Sequence, residues 1–275
     1  MIFLKSAMLG LMGGVSQLLP LNKNIILIFL TMINKSFLGK ASFGIDYSSV
    51  LFVNLGILAG VLLYSWEELK KSIPQALSLD FSNFTYEYPY ELKSDEKVKL
   101  LLPVVYVSCF VQTLITSLVN ITSQSFLFLI FLELITILLC FVCDYTKEKK
   151  VSLKGSATIF SVLVILSVSF GISVIPLTVI LARLWGVNKK PLFDFSVNIL
   201  FVSTLFNTIA FLIKAIIFGF SFVWYSYILC LLFGFVGAFF GTEALKKSIY
   251  KKNFSKFGYF HTVFIFIMFY ILISA

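Results

Sequence analysis

Two polar interruptions in a very apolar chain contain residues that could bind an anion. The first is GGVSQLLPLNKN (13–24), and the second surrounds Gly171 and Pro176. Half-helices starting at such breaks would present unpaired N–H groups, which favour phosphate. The candidate binding residues at the two breaks are Gln17, Asn22, Lys23 and Asn24, and Gly171, Ser173 and Thr178.

Structural roles for some of these residues stay open. Gln17 on a broken helix could be a buried hydrogen-bonding residue. The aliphatic stem of Lys23 could extend through the membrane so that its charge reaches the interface, instead of holding an anion. Arg183 is interpreted as an anchor at a basic membrane edge. The site therefore rests on the combination of breaks and polar residues, not on any one side chain.

One acidic residue lies in the middle of a strongly apolar segment. Glu133 is surrounded by FLFLIFLELITILL (126–139). A carboxyl group at that depth is a functional-site hypothesis by default. The alternative is a protonated carboxyl group that hydrogen-bonds to a neighbouring helix. His261, also in an apolar segment, is interpreted as structural.

The cysteines do not indicate a metal or redox site. All four lie in apolar segments, and Cys140 and Cys143 have C-x-x-C spacing. A metal site would need further ligands, and the chain has a single histidine. The thiols are interpreted as packing residues. We expect no metal and no cofactor.

The composition predicts an integral membrane protein. Of 275 residues, 59% are hydrophobic and 13% are charged, and the mean hydropathy is +1.00. A soluble domain of this size would need far more polar surface. The net charge of +9 comes largely from lysines in short loops. That pattern favours contact with anionic lipids and not with nucleic acid.

Apolar runs of about 20 residues predict six transmembrane helices. They lie at 48–65, 99–119, 125–143, 195–218, 223–243 and 259–274. Two further stretches, 1–32 and 155–186, are apolar but interrupted by glycine and proline. The first is predicted to break at Gly13-Gly14 and Pro20, and the second at Gly171 and Pro176.

The distribution of lysine and arginine predicts that each interrupted stretch is re-entrant, which means that it enters and leaves the membrane on the same side. The loops 66–98, 144–154, 187–194 and 244–258 then share one membrane face. Five of the 22 Lys and Arg residues fall on the other face, so 22 − 5 = 17 lie on the shared one. This agrees with the positive-inside rule. The five exceptions are Lys5, Lys23, Lys35, Lys40 and Lys214.

The two interrupted stretches also look like copies of each other. Each contains Pro-Leu, an apolar piece and then Asn-Lys, followed by Asp46-Tyr47-Ser48 or Asp194-Phe195-Ser196. Aspartate before a helix predicts an N-cap. The topology places the copies in opposite orientation, as in membrane folds that build a site from inverted repeats. The predicted fold is therefore an all-α polytopic membrane protein of six transmembrane helices and two re-entrant helical hairpins.

These landmarks resemble bacterial undecaprenyl-diphosphate phosphatases, the bacitracin-resistance proteins. GVSQLLP (14–20) is similar to the family's Gly-x-x-Glu-x-x-Pro stretch, and LGILAGVLLYSWEEL (55–69) resembles its next helix. LLPVVYVSCF (101–110) and FDFSVNILF (193–201) resemble later helices, and FSKFGYFHTVFIFIMFYIL (254–272) resembles the closing one. The resemblance covers the whole chain.

The departures from that pattern fall on the chemistry. Gln17 stands where the family has a catalytic glutamate, and Ile26 stands where it has a histidine. Near the second break Gly171 and Ser173 match, but Val174 replaces the phosphate-binding arginine. Glutamine cannot act as a general base, and valine cannot neutralise phosphate. Hydrolysis by the family's mechanism is not expected.

The apolar segments and the two similar stretches predict a single integral membrane domain over 1–275, with repeats at about 1–143 and 155–275 and an interfacial loop at 66–98. The resemblance implies a polyprenyl-phosphate lipid as ligand, in the recycling of lipid carriers at the bacterial cell membrane. Mg or Ca would be needed only by an active hydrolase. A lipid flippase and a non-catalytic subunit of an envelope complex stay open as alternatives, as do a homodimer and a membrane partner protein.

Overall fold

A computed structural model describes residues 2–18, 47–77, 93–118, 126–146, 174–220 and 224–274. In these residues the chain forms nine helices and no strand. They are α1 (Ile2–Leu18), α2 (Tyr47–Tyr64), α3 (Trp66–Leu77), α4 (Ser94–Leu118), α5 (Phe126–Tyr145), α6 (Val174–Leu184), α7 (Lys189–Phe218), α8 (Trp224–Lys251) and α9 (Ser255–Ser274). The all-α prediction is confirmed for this part of the chain.

Four of the described helices are long and apolar enough to cross a membrane. They are α2, the Ser94–Leu114 part of α4, α7 and α8. The other two predicted spans fall on α5 and α9, which have 20 residues each. At 1.5 Å per residue, 20 residues extend about 30 Å, the thickness of a hydrocarbon core. The structure thus supports a membrane protein, while a total of six spans stays a prediction.

Outward-facing side chains of these helices are apolar, as a lipid environment requires. Near the end of α7, Ile216 and Ile217 are 66% and 69% exposed, and Phe266 of α9 is 70% exposed. Exposed apolar surface on this scale would be costly in water. The buried core lies between the helices and includes Val61, Leu101, Val179, Phe195 and Leu245.

α1 runs parallel to the first half of α8. At its start, Phe3 stacks on Tyr225 with the ring centroids 5.1 Å apart. Near its end, a Cβ added at Gly14 would lie 2.9 Å from the backbone nitrogen of Ala238. α8 continues from there to Lys251. α1 therefore ends beside the middle of α8.

The expected helix break at Gly13-Gly14 is wrong. Both glycines lie inside the continuous helix α1. A Cβ at Gly14 would lie 2.6 Å from the carbonyl oxygen of Gly234, and one at Gly237 would lie 2.6 Å from that of Leu11. The glycines let two helix backbones touch, which is how small residues act in membrane helix pairs. Packing, and not a turn, explains their presence.

α2 packs against the same helix and also runs parallel to it. Phe52 stacks on Tyr227 with the ring centroids 4.7 Å apart. Farther along α2, a Cβ added at Gly60 would lie 2.7 Å from the carbonyl oxygen of Phe235 and 2.9 Å from Ala238 Cβ. α1, α2 and α8 therefore form one tightly packed group, which we call the glycine-packed trio.

α7 runs in the opposite direction to the trio. At its start, Lys189 Nζ donates a hydrogen bond of 3.0 Å to the carbonyl oxygen of Tyr250, near the end of α8. At its end, the ring of Phe218 lies 5.2 Å from that of Tyr47, the first residue of α2. α2 and α7, the helices that follow the two interrupted stretches, are therefore antiparallel.

The predicted helix start at Asp194 is wrong. α7 begins five residues earlier at Lys189, and Pro191 lies in its first turn. Proline is tolerated there because the first N–H groups of a helix have no intrahelical acceptor. Asp194 is thus inside the helix. The matching Asp46 lies outside the described residues, and α2 begins directly after it at Tyr47.

α5, α6 and α9 form a second group, while α4 packs against α7 and α3. α5 packs against α6 and α9, and α6 also contacts α7. Pro176 lies inside the described part of α6, Val174–Leu184, so the chain is helical at that residue. Gly171, the other predicted break residue of this stretch, lies outside the described residues.

The described parts of the four loops predicted to share a basic face do meet at one end of the bundle. Hydrogen bonds join one loop to the next: Asn188 N–H donates to Ser94 Oγ (3.1 Å), Lys189 Nζ to the Tyr250 carbonyl (3.0 Å), and Ser255 N–H to Asp144 Oδ2 (2.7 Å). We call this the basic end. Its placement on the cytoplasmic side stays a prediction.

The close packing of the trio predicts that leucine destabilises the protein at Gly60 of α2 but not at the neighbouring Ala59. Gly60→Leu would force a side chain into the backbone of α8, whereas Ala59 is exposed. We expect Gly60→Leu to lower the free energy of unfolding by about 1–3 kcal/mol or more, the usual cost of overpacking. Ala59→Leu adds the same side chain one residue away and should change nothing. Thermal unfolding in one detergent compares them, and equal stability of the two variants would contradict the close packing.

Candidate functional site

Only two of the predicted anion-binding residues fall within described helices. Gln17 lies in the last turn of α1, and Thr178 lies one turn into α6 with its side chain fully buried. The structure therefore does not test whether the two breaks come together. The predicted residues outside the described part of the chain are Asn22, Lys23, Asn24, Gly171 and Ser173.

The two short helices present opposite ends to the predicted breaks. The described part of α1 has its C-terminal end toward the first predicted break, at Leu18, while that of α6 has its N-terminal end toward the second, at Val174. An anion is favoured at the second kind of end only. Of these two ends, the N-terminal end of α6 is the one that fits the predicted anion site, and the half-helix predicted to start at the first break lies outside the described residues.

The structure brings together two ionisable residues from the apolar segments. His261 Nδ1 of α9 contacts Glu133 Oε1 of α5, and their side chains are only 2% and 1% exposed. The residues are 128 positions apart in the chain. Sequence reasoning singled out Glu133 but took His261 as an isolated structural residue. The signal that could have paired them is that each is a lone polar ionisable group deep in its apolar segment.

This pair, which we call the buried acid–imidazole pair, is incompletely hydrogen-bonded. Glu133 Oε2 and His261 Nε2 have no partner within the described residues. Groups buried in apolar surroundings without partners destabilise a fold by about 1–3 kcal/mol each. Such groups are common at sites that bind a proton or a polar ligand, so the pair is a second candidate site.

Arg183 is buried, which corrects its interpretation as an edge anchor. Its guanidinium is in α6, and Nη1 donates a hydrogen bond to the carbonyl oxygen of Cys143 near the end of α5. A cation at a helix C-terminus is stabilised by unpaired carbonyl groups and by the helix dipole. Arg183 therefore holds the end of α5 against α6.

Asp144, also near the end of α5, binds the N-terminal end of α9. Its two carboxylate oxygens accept hydrogen bonds from the backbone N–H groups of Phe254 (2.8 Å) and Ser255 (2.7 Å), where α9 starts. An acid at a helix N-terminus is favoured for the same electrostatic reason as a cation at the other end. Asp144 thus fixes the start of α9, six residues before His261.

Two lysines of the basic end also bind helix C-termini. Lys97 Nζ donates a 2.7 Å hydrogen bond to the Trp185 carbonyl just after α6, and Lys97 is only 8% exposed. Lys189 Nζ binds the Tyr250 carbonyl at the end of α8. Charges that the sequence analysis assigned to membrane orientation therefore have a second function in joining helices.

The cysteines are buried, free thiols in the described helices. Cys140 and Cys143 lie on α5, and Cys143 belongs to the hydrophobic core. Within the described residues, no three His, Cys, Asp or Glu side chains are grouped so that they could hold a metal ion. The thiols pack as apolar residues here.

Comparisons with protein-family models, with curated proteins and with solved structures find no match for this chain.

Removal of the Asp144 carboxylate tests its role at the start of α9. Asp144→Ala leaves the N–H groups of Phe254 and Ser255 without their acceptor, so we expect a loss of about 1–2 kcal/mol of stability. The matched control is Glu243→Ala, which removes an exposed acid from an ion pair within α8. The control should unfold like the parent. Equal melting temperatures for all three proteins would contradict the capping role.

Proposed function

We propose that this chain binds the phosphate headgroup of a polyprenyl-phosphate lipid in the bacterial cell membrane and does not hydrolyse it. The architecture proposed for it has six transmembrane helices and two re-entrant hairpins in an inverted repeat. The observation that carries this proposal is the arrangement of α1, α2, α6 and α7. Each of the antiparallel helices α2 and α7 follows one of the two interrupted apolar stretches, and the described part of each stretch is helical.

The lengths and directions of the helices support the first hairpin. α1 and α2 both start at the end of the bundle opposite the basic end, because both run parallel to α8. α1 passes Ala238 at Gly14 and α2 begins at the starting end of the bundle, which is the placement that a first hairpin would give them. At 1.5 Å per residue, the 17 residues of α1 extend about 25 Å, against about 42 Å for α8.

The second stretch supports the inverted counterpart. α5 ends at the basic end, where Asp144 binds the start of α9, and α6 ends there too, where Lys97 binds the carbonyl group of Trp185. The ends of α5 and α6 thus lie at the same end of the bundle, as a re-entrant second stretch would place them. The 11 described residues of α6 extend about 16 Å.

The chemistry of the second break favours binding over hydrolysis. Val174, which stands where the related family has a phosphate-binding arginine, is the first residue of α6. N–H groups at that terminus can still bind phosphate oxygens. No cation replaces the arginine at this position, and Gln17 cannot take a proton from a nucleophile. Binding is retained in this proposal and catalysis is lost.

Lipid binding and phosphate release, measured in one preparation, test separately whether the protein binds the lipid and whether it hydrolyses it. The full chain in nanodiscs should retain undecaprenyl phosphate in native mass spectrometry and release no phosphate from the diphosphate above an empty-nanodisc blank. Lys23→Gln with Thr178→Val should weaken the lipid binding at least tenfold. Thr113→Val with Lys256→Gln is the matched control, since Thr113 is also a buried threonine, on α4. Absence of lipid retention by the parent contradicts the proposal, and phosphate release contradicts its non-catalytic part.

A flippase function is the second candidate, favoured by the antiparallel course of α2 and α7. Inverted units allow a central site to open to either face in turn. Proteoliposomes containing the protein should then move a fluorescent polyprenyl phosphate between leaflets faster than protein-free liposomes. The Lys23→Gln, Thr178→Val protein should lose that excess rate. Movement that both variants support equally would exclude this site from lipid transfer.

A further inference from the structure

We infer that Glu133 and His261 form a proton-binding site inside the membrane, which holds a proton between Oε1 and Nδ1 and exchanges it with solvent. This inference does not depend on the proposed lipid ligand. It rests on the contact between the two atoms, their burial, and the open hydrogen-bonding positions on the other side of each group.

The contact itself requires a proton. A deprotonated carboxylate oxygen accepts hydrogen bonds and cannot donate one, and an imidazole nitrogen without hydrogen also only accepts. If neither carried a proton, two lone pairs would face each other across the contact of Oε1 with Nδ1. When Nε2 keeps the hydrogen of a neutral imidazole, one further proton between Oε1 and Nδ1 turns that repulsion into a hydrogen bond within a pair of zero net charge.

The surroundings favour keeping the pair neutral as a whole. With one shared proton its net charge is zero, whereas losing that proton or gaining another creates a net charge in a nearly dry site. Isolated charges in such surroundings are strongly unfavourable. The site is therefore built to bind a single proton.

No other charged group in contact replaces the proton. On the helices packed around the pair, Asp144 is bound to N–H groups of the α9 start, and Arg183 is bound to the Cys143 carbonyl. Among the other titratable groups of α5 and α9, the thiol of Cys140 is buried and Tyr259 is exposed. Within the described residues, Glu133 and His261 are thus each other's ionic partner.

The open atoms provide a path for exchange. Glu133 Oε2 and His261 Nε2 lie on the far sides of the two groups and have no partner among the described residues. A water molecule at either atom could deliver a proton to one side while the other side releases one. Imidazole is suited to this because its two nitrogens can donate and accept in turn. A purely structural hydrogen bond would not need two open ends.

The single histidine of the chain makes a direct test simple. With ¹⁵N-labelled histidine, the only imidazole signals of the full chain in nanodiscs come from His261. We expect a strongly low-field proton resonance correlated with Nδ1, and its loss in Glu133→Gln, whose amide has no acidic proton to share. Glu243→Gln removes an exposed acid and should keep the resonance. Absence of that resonance in the parent protein would overturn the shared proton.

Transfer of the folded protein into D₂O tests exchange separately and needs no variant. An exchanging site loses the low-field resonance while the backbone N–H signals of α5 and α9 persist. If the resonance instead lasts as long as those backbone signals, the pair is a closed structural bond and the exchange part is overturned. If Glu133→Gln fails to fold, the parent spectrum and its D₂O behaviour still decide both parts.

Discussion

The rest of the structure depends on direct backbone contact within the glycine-packed trio. Lipid tails are as apolar as leucine, so helices in a membrane gain little from simply burying apolar side chains together. Gly14 and Gly60 allow α1 and α2 to reach the backbone of α8, and Gly234 and Gly237 open α8 from its side. Close backbone contact maximises van der Waals attraction, and it sets the parallel course of all three helices. α7 then packs antiparallel against α2.

The second helix group is joined by charges instead of glycines. Arg183 binds the end of α5, Asp144 binds the start of α9, and Lys97 binds the carbonyl group that follows α6. Each charge satisfies backbone groups that a helix terminus leaves without partners. These contacts lie at the basic end, where the carbonyl groups bound by the buried Arg183 and Lys97 replace the water that burial removes. The membrane-embedded part of the same group contains one polar contact of a different kind, between Glu133 and His261.

The two candidate sites make different demands on the fold. An anion site at the start of α6 uses backbone N–H groups, so it tolerates Val174 in place of a charged residue. The buried acid–imidazole pair uses side chains from two helices and depends on their register, which Asp144 fixes from the helix start. A protein with both could bind a lipid headgroup and a proton at separate positions. No described contact joins the two sites.

Sequence alone determined the helical membrane class, because long apolar runs must satisfy their own backbone hydrogen bonds within a bilayer. It also located the six apolar segments and the loops of the basic end. Tertiary structure decided what single residues do. From the sequence, Gly14 could allow either a turn or a close helix contact, and only the position of the α8 backbone shows that it allows the contact. Glu133 and His261 are 128 residues apart, and hydropathy has no information about which apolar helices become neighbours. That choice depends on side-chain fit and charge at helix ends, which only the packed structure contains.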